Sequence, residues 1–431
     1  MKILIFSSSA GNGHNSTAKR IKEKVLENNP EAEIKIIDSY NSYASPLKAW
    51  IMEDGYFLAC RYLLDIYNLA FKCSEKSNYE TRNTTNANKD SYCLMYGMLK
   101  EIYSFKPDVI ISTYIFCSIA LRNIKRKFTI PAKTICMTLD YGISPYWECC
   151  AEGLDYMFLT GNYMVEPFKK LGYKDSQLIV AGIPVADKFS SKLNKIETRK
   201  SLGLNTELFT LIVMKASFFP ISARKLMSQL SKIKTKIQVI IVNGKDKKQK
   251  DLFDKLLKKH KLIHEVINIG FTDKMVEYLK SSDLVLGKAG GLSTTECINS
   301  NIPSLILNRL PQQEIYNKKY LIENGCAIGV TKHNIAKSVQ RILENPDEYQ
   351  RLKQSTQKVQ KLGTLDKFYD IISKCPTPDY SGLKLNDSKR EFIKKINNQR
   401  KLDIKNEHKK WAKNCSFFIY QVIFKNINLL A

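Results

Sequence analysis

Two glycine-rich stretches, each between a strand-like apolar run and a helix-like one, carry the residues best suited to chemistry. The first runs Ser9-Ala10-Gly11-Asn12-Gly13-His14-Asn15-Ser16-Thr17-Ala18. Glycine lets backbone approach a ligand closely, and a helix start presents unpaired N–H groups to an anion. Gly11 and Gly13 fit a dinucleotide fingerprint, with Asp38 placed to bind a ribose at the end of the next strand; Ser16 stands where a third glycine belongs. His14 is one of five histidines. At a loop tip facing a cleft it reads as a general base or hydrogen-bond partner for an acceptor hydroxyl, or alternatively as a residue that merely caps the helix.

The second stretch is Gly287-Lys288-Ala289-Gly290-Gly291-Leu292-Ser293-Thr294-Thr295-Glu296. Gly290 and Gly291 permit tight approach, and the N–H groups from Leu292 and Ser293 onward can hold a diphosphate. Glu296 lies one turn into the helix, within reach of the ribose of a nucleotide bound there by its phosphates. A plain loop-to-helix turn is the competing reading, and it gives the acid no task. Beyond the next strand come Pro311-Gln312-Gln313-Glu314 and Asn317. Amides and a carboxylate beside a diphosphate suit recognition of sugar hydroxyls, although the same run in isolation reads as exposed surface.

These residues need a scaffold that aims loop ends at one place. Short, β-branched apolar runs at 2–6, 33–37, 109–112 and 133–137 predict buried strands, with a helix over 16–28 between the first two. A second series predicts strands at 208–214, 238–242, 266–269, 284–286 and 304–307. Helices at 223–233, 249–259, 274–280 and 294–300 lie between them. Such alternation means α/β layers on parallel sheets: two Rossmann-like, doubly wound domains facing a cleft. The expected division is 1–186, 187–372 and a basic C-terminal extension over 373–431, with 190–200 as connector and the last helix free to pack back on the first domain.

Composition narrows the setting. The chain has 431 residues, 44% of them hydrophobic, and a formal charge of +26. That excess calls for an anionic partner, whether nucleic acid, membrane surface or phosphorylated small molecule. Eleven cysteines show neither a disulfide framework nor metal-ligand spacing, so reduced thiols and no metal site are expected. No run approaches the roughly 20 apolar residues of a spanning helix. A soluble or peripheral protein follows.

Taken together, the motifs resemble the monogalactosyldiacylglycerol synthase and processive diacylglycerol glucosyltransferase family, relatives of the lipid II-forming N-acetylglucosaminyltransferase. The resemblance covers nearly all of residues 1–345. It rests on Gly11, Gly13 and His14 with Ala18; on Thr138-Leu139-Asp140-Tyr141 and Pro145-Tyr146-Trp147; on Gly182-Ile183-Pro184; on Gly270-Phe271 with Met275; on Gly290 to Ser293 with Glu296; and on Pro311, Gln313, Glu314 and Asn317. It implies a GT-B fold and an inverting, metal-independent transfer from a UDP-sugar to a lipid acceptor, most simply diacylglycerol. On this basis Glu296 binds ribose, Gly290–Ser293 the diphosphate, and Gly270-Phe271 the uracil through backbone. Gln313 and Glu314 hold the sugar, His14 sits at the acceptor hydroxyl, and Asp140 is the other candidate base. Two departures stand out: Gln312 replaces a glycine common in the family, and Phe218-Phe219 occupy a loop that is usually glycine-rich.

The aromatic segment 40–71, with Trp50, Tyr56, Tyr62, Tyr67 and Phe71, reads either as core packing or, by the resemblance, as contact with acceptor and membrane. The implied location is the inner face of the cell membrane, held peripherally by an anionic surface. Residues 384–413 are basic and 416–424 apolar, the layout of an interfacial anchor or of a loose basic extension. Rival readings are a nucleotide-sugar-binding protein without activity, a nucleic-acid binder, an NAD-dependent oxidoreductase and a UDP-N-acetylglucosamine epimerase. No base-reading module supports the nucleic-acid reading. The oxidoreductase leaves Glu296, Gln313 and Glu314 without work.

Overall fold

The computed structural model describes residues 1–76, 87–215, 219–385 and 391–392. Two six-stranded sheets, parallel throughout, form its two halves. The first comprises β1 (Lys2–Ser7), β2 (Glu33–Asp38), β3 (Val109–Ser112), β4 (Lys133–Met137), β5 (Tyr156–Leu159) and β6 (Leu178–Val180), in the order β2-β1-β3-β4-β5-β6. The second comprises β7 (Thr210–Met214), β8 (Gln238–Val242), β9 (Glu265–Ile269), β10 (Leu284–Gly287), β11 (Ser304–Leu307) and β12 (Ala327–Val330), in the order β12-β11-β10-β7-β8-β9.

A parallel sheet needs helices on both faces, so its strands are apolar on both sides. In β1, Leu4 and Phe6 enter one core while Ile3 and Ile5 enter the other. In β7, Leu211 and Val213 face one layer and Ile212 the opposite one. Strand order reverses between β1 and β3, and again between β7 and β10. Ligands of open α/β sheets bind outside the carboxyl ends of strands at such switch points. The loop after β1 carries Gly11 and the loop after β10 carries Gly290, so each glycine motif stands at its domain's switch point.

The predicted strands all form, but several elements depart from expectation. The first helix is Asn12–Asn28, not 16–28, because Gly11 at φ 89° turns the chain at once. His14 therefore sits in the first helical turn rather than at a loop tip. The connector contains a short helix, Lys195–Ser201, whose Arg199 is buried against Asp283, the Ser281 and Thr206 carbonyls and Thr210. Strands β5, β6 and β12 escaped the pattern.

The helix Thr364–Ser373 returns to the first sheet. Phe368 packs on Phe158 of β5, with ring centroids 4.8 Å apart, and Thr364 Oγ1 donates to the Ala181 carbonyl at 2.8 Å. The following segment is not an appendage at its start. Tyr380 donates to the Pro107 carbonyl at 2.9 Å, and Phe392 packs against Tyr96 and Phe128 at the first domain's core. Of the expected anchor, basic over 384–413 and apolar over 416–424, all but residues 384–385 and 391–392 lies outside the described residues. Replacing Phe368, which is 1% exposed, by alanine should cost about 3–5 kcal/mol. Urea unfolding followed by a first-domain probe such as Trp147 should move to lower denaturant; an unchanged midpoint would mean the helix does not support that domain.

Candidate functional site

The two halves meet where the loop after β4 touches the helix Gly291–Asn299. A Cβ on Gly291 would collide with the Leu139 carbonyl and stand 3.1 Å from Asp140 Oδ1. Glycine is needed here for contact between the domains, which differs from the expected approach to a phosphate. Asn317, fully buried, seals the contact. Its Nδ2 donates to Asp140 Oδ1 at 2.7 Å and to the Ala289 carbonyl at 2.8 Å; its Oδ1 accepts from the Tyr141 and Gly142 N–H groups at 2.6 and 3.3 Å. With both hydrogens and its oxygen engaged, Asn317 has nothing left for a ligand. In this structure it holds Asp140. Tyr141 adds a hydroxyl contact with Thr295 at 2.9 Å and stacks on Tyr320 at 4.6 Å.

Beside this contact two helix N-termini converge. A Cβ on Gly13 would lie 3.9 Å from Leu292 Cβ, so the first turns of helices Asn12–Asn28 and Gly291–Asn299 face each other. Neither Gly11 nor Gly290, as N-cap, supplies a side-chain hydrogen bond to the turn it opens. Elsewhere in the chain Ser45, Asn194, Ser222, Asp246 and Asn345 do so. Uncapped turns leave N–H groups, and the positive end of the helix dipole, for an anion.

The carboxylates around these turns divide into free and engaged. Glu296 is half-buried and makes no hydrogen bond or ion pair among the described residues. Burial raises its carboxyl to about 7, against the opposing pull of Arg20 and Lys188. Asp38, the ribose candidate of the dinucleotide reading, is occupied instead. It takes Ser9 Oγ and Asn15 Nδ2 on one oxygen and the Asn41 N–H on the other. That occupation, with Leu292 set against the first turn, removes the dinucleotide reading.

A third helix, Gln312–Glu323, begins beside Gly290. Its first turn holds Gln312, Gln313 and Glu314, of which Gln312 and Glu314 are buried. Lys288 pairs with Glu314 Oε1 at 2.5 Å. Three enclosed oxygens on this turn, Gln312 Oε1, Gln313 Oε1 and Glu314 Oε2, have no hydrogen-bond partner. Each such orphan costs about 1–3 kcal/mol. All three are acceptors, so the complementary ligand offers several O–H donors.

The helices Asp54–Tyr62 and Leu64–Lys76, from the aromatic segment, cover this turn. Tyr67 contacts Gln313 and Tyr316 contacts Glu75, while Leu58, Tyr62, Ile66 and Leu69 point to solvent. The segment is therefore packed on one face, as the core reading expected, and exposes apolar side chains on the other. Tyr67 was missed as a site residue because a tyrosine at helical spacing in an aromatic run has no local mark of function.

His14 and Asp140 lie at the mouth of the first domain. His14 Nδ1 donates to the Thr113 carbonyl at 2.6 Å, which leaves Nε2 with its lone pair free of that bond. Its ring stands edge-on to Tyr114 at 4.8 Å. Burial lowers its basicity to a pKa of about 4, with the Thr113 bond opposing. Burial moves Asp140 upward, opposed by Asn317 and Lys288. The two candidate bases are thus drawn toward each other in strength.

In the second domain Gly270 follows β9 and Phe271 is 71% exposed, with Lys245 Nζ 6.0 Å from its ring. Met275 packs in the core layer under β7 and β8 beside Leu292. Ser293 is half-buried in the first turn after Gly290. Phe219 packs into the second domain's core instead of narrowing the cleft; Phe218 lies outside the described residues.

Two doubly wound domains whose switch points and helix termini share one cleft define the GT-B class of nucleotide-sugar enzymes. Residues 14–185 match the family model for monogalactosyldiacylglycerol (MGDG) synthase, and residues 219–373 match the glycosyltransferase family 28 C-terminal domain. The chain thus pairs an N-terminal half of the monogalactosyldiacylglycerol synthase type with a glycosyltransferase family 28 C-terminal domain, and it resembles the processive diacylglycerol glucosyltransferases along most of its length. A processive diacylglycerol β-glucosyltransferase of Staphylococcus saprophyticus is 28% identical over 328 residues, 75% of this chain and 80% of that one. One from Bacillus pumilus is 22% identical, covering 82% and 90%. Among solved structures, Acinetobacter baumannii MurG aligns with TM-score 0.56 and 11% identity over 87% of this chain and 100% of its own. UDP-GlcNAc 2-epimerase from Neisseria meningitidis aligns with TM-score 0.56 and 14% identity over the same shares. Since a transferase and an epimerase align equally well, these likenesses establish the fold and not the reaction.

Glu296 yields a pH prediction. Its carboxylate form, which accepts from hydroxyls, prevails above about pH 7 and is lost as pH falls. Calorimetric affinity for UDP should weaken about three- to tenfold between pH 8 and pH 6, and Glu296→Gln should flatten that part of the profile. An identical profile in the variant would deny Glu296 the ribose.

Proposed function

We propose that the chain is an inverting glycosyltransferase that moves a hexose from a UDP-sugar to the free hydroxyl of diacylglycerol. The observation that carries this reading is the first turn of helix Gln312–Glu323, with three enclosed, partnerless acceptor oxygens beside the uncapped helix start at Gly290. A hexose supplies hydroxyl donors and a diphosphate supplies the anion, and a nucleotide-sugar joins the two at this spacing. The relatives' names, diacylglycerol β-glucosyltransferases, agree in donor class, acceptor and linkage.

In this reading Glu296 accepts from the ribose hydroxyls and the N–H groups at Gly291–Ser293 take the diphosphate. The Gly270-Phe271 backbone meets the uracil beside Met275. Glu314, oriented by Lys288, and Gln313 take the sugar hydroxyls. Gly11, Gly13 and the turn they open face the phosphates from the acceptor side. His14 Nε2 or Asp140 removes the proton of the acceptor hydroxyl. Its oxygen then attacks the anomeric carbon from the face opposite the diphosphate, so the new C–O bond forms as the bond to the β-phosphate breaks. The charge left on UDP falls on the helix terminus. That terminus and Lys288 supply the positive field, so the transfer requires no divalent cation. An acceptor held at His14 would stand against the covering helices and the helix Pro46–Met52 before them, on which Leu58, Tyr62, Ile66 and Leu69, and Leu47 and Trp50, are exposed. Arg61 and Lys72 are exposed among them. We place this face on an anionic membrane, at the inner surface of the cell, the cations being worth about 1 kcal/mol each.

The test is transfer of label from UDP-glucose, UDP-galactose and UDP-N-acetylglucosamine into chloroform-extractable lipid, with diacylglycerol in anionic vesicles and with or without EDTA. One donor should label the lipid in both conditions, and Glu296→Ala should abolish most of the incorporation. Label that requires added metal would overturn the cation-free mechanism. No label from any donor, with UDP binding intact, would refute the transferase reading.

A further inference from the structure

The helix Leu64–Lys76 belongs to the N-terminal half of the chain, yet its inner face grips the C-terminal half. Tyr67 Oη accepts a hydrogen from Gln313 Nε2 at 2.6 Å, Asn68 Nδ2 donates to the Leu310 carbonyl at 3.0 Å, and Glu75 Oε2 accepts from the Tyr316 hydroxyl at 2.5 Å. Tyr67, Phe71 and Glu75 recur every four residues, which puts them on one helical stripe. The Tyr67 ring is held in place between Tyr56, 5.7 Å away, and Phe71, 6.2 Å away. Its hydroxyl is therefore a fixed point rather than a roaming one.

A glutamine amide can present either its NH₂ or its carbonyl to a ligand, and the two faces select opposite partners. In the structure Gln313 turns its N–H to Tyr67 Oη, which leaves Oε1 enclosed and, among the described residues, without a partner beside Glu314 Oε2, which also has none. We propose that Tyr67 is a positioning residue for the donor sugar, fixing the Gln313 amide so that its carbonyl, beside Glu314, receives a sugar hydroxyl hydrogen. The proposal rests on the transferase reading above and extends it: a residue of the acceptor-side domain shapes the donor-sugar subsite. Because Tyr67 works through Gln313, its removal penalises the sugar and spares the nucleotide.

The test compares affinities for UDP and for UDP-glucose, UDP-galactose and UDP-N-acetylglucosamine by calorimetry in the full chain, Tyr67→Phe, Gln313→Ala and the double variant. Phenylalanine keeps the ring packed between Tyr56 and Phe71 and removes only the hydroxyl. The expected result is a loss of about three- to tenfold for the best-bound UDP-sugar with UDP unchanged, and a double variant no weaker than Gln313→Ala alone. Equal losses for UDP and UDP-sugar would show a general packing role, and additive losses in the double variant an independent one; either overturns the proposal. Failure of the unaltered chain to bind UDP would instead strike the transferase reading beneath it. Retained UDP affinity in Tyr67→Phe also reports that the variant is folded.

Discussion

The contact between Gly291 and the Leu139 carbonyl, sealed by the fully buried Asn317, is the constraint on which the rest of the site depends. Asn317 joins three segments at once: its own helix, the loop before Gly290, and residues 140–142 of the other domain through the Asp140 side chain and the Tyr141 and Gly142 backbone. Each hydrogen bond is worth only about 1 kcal/mol net. Their value lies in geometry, because a planar amide with its donors and acceptor engaged has one orientation. A carboxylate and a helix terminus that belong to different domains are thereby brought to one place.

Around that contact the site is built from what its neighbours leave unsatisfied. Several helices close their first turns with Ser, Asp or Asn side chains and several do not; the turns opening at Gly11, Gly290 and Pro311 are among the uncapped ones, and these three lie together. Beside them lie a carboxylate without a partner at Glu296 and enclosed acceptor oxygens at Gln312, Gln313 and Glu314. Unpaired N–H groups favour an anion, and unpaired acceptors favour hydroxyls. The free energy withheld from the empty protein is what a ligand carrying both recovers. Burial also shapes the acid–base groups, lowering His14 and raising Asp140 and Glu296.

Much of this was legible in the sequence, and the remainder was hidden for identifiable reasons. The strands of both switch points are apolar on both faces, so β1, β3, β7 and β10 stood out as runs, and the glycine motifs marked the loops that follow them. β6 and β12 are partly buried edge strands of three and four residues, whereas β5 is as short and as apolar as β3 and was legible by the same rule. The role of Asn317 could not be read locally, since its partners are about 175 positions away. Gly291 looked like a phosphate loop residue because sequence shows that a glycine is needed, not what presses on it. Tyr67 was hidden by its surroundings, an aromatic among aromatics. The stretch after Ser373 looked like an appendage because its composition is basic, but Tyr380 and Phe392 tie its beginning to the first domain.

In this mechanism the close approach of the two domains at Gly291 brings a nucleotide site of the second domain against an acceptor site of the first. Gly291→Ala tests it most directly, by placing a methyl group against the Leu139 carbonyl. Transfer of label to lipid and calorimetric UDP affinity would be measured on the same preparation. The account predicts transfer reduced by about a hundredfold or more, with UDP affinity within a few-fold of the unaltered chain. Transfer that survives, or transfer and UDP affinity that fall together, would contradict it.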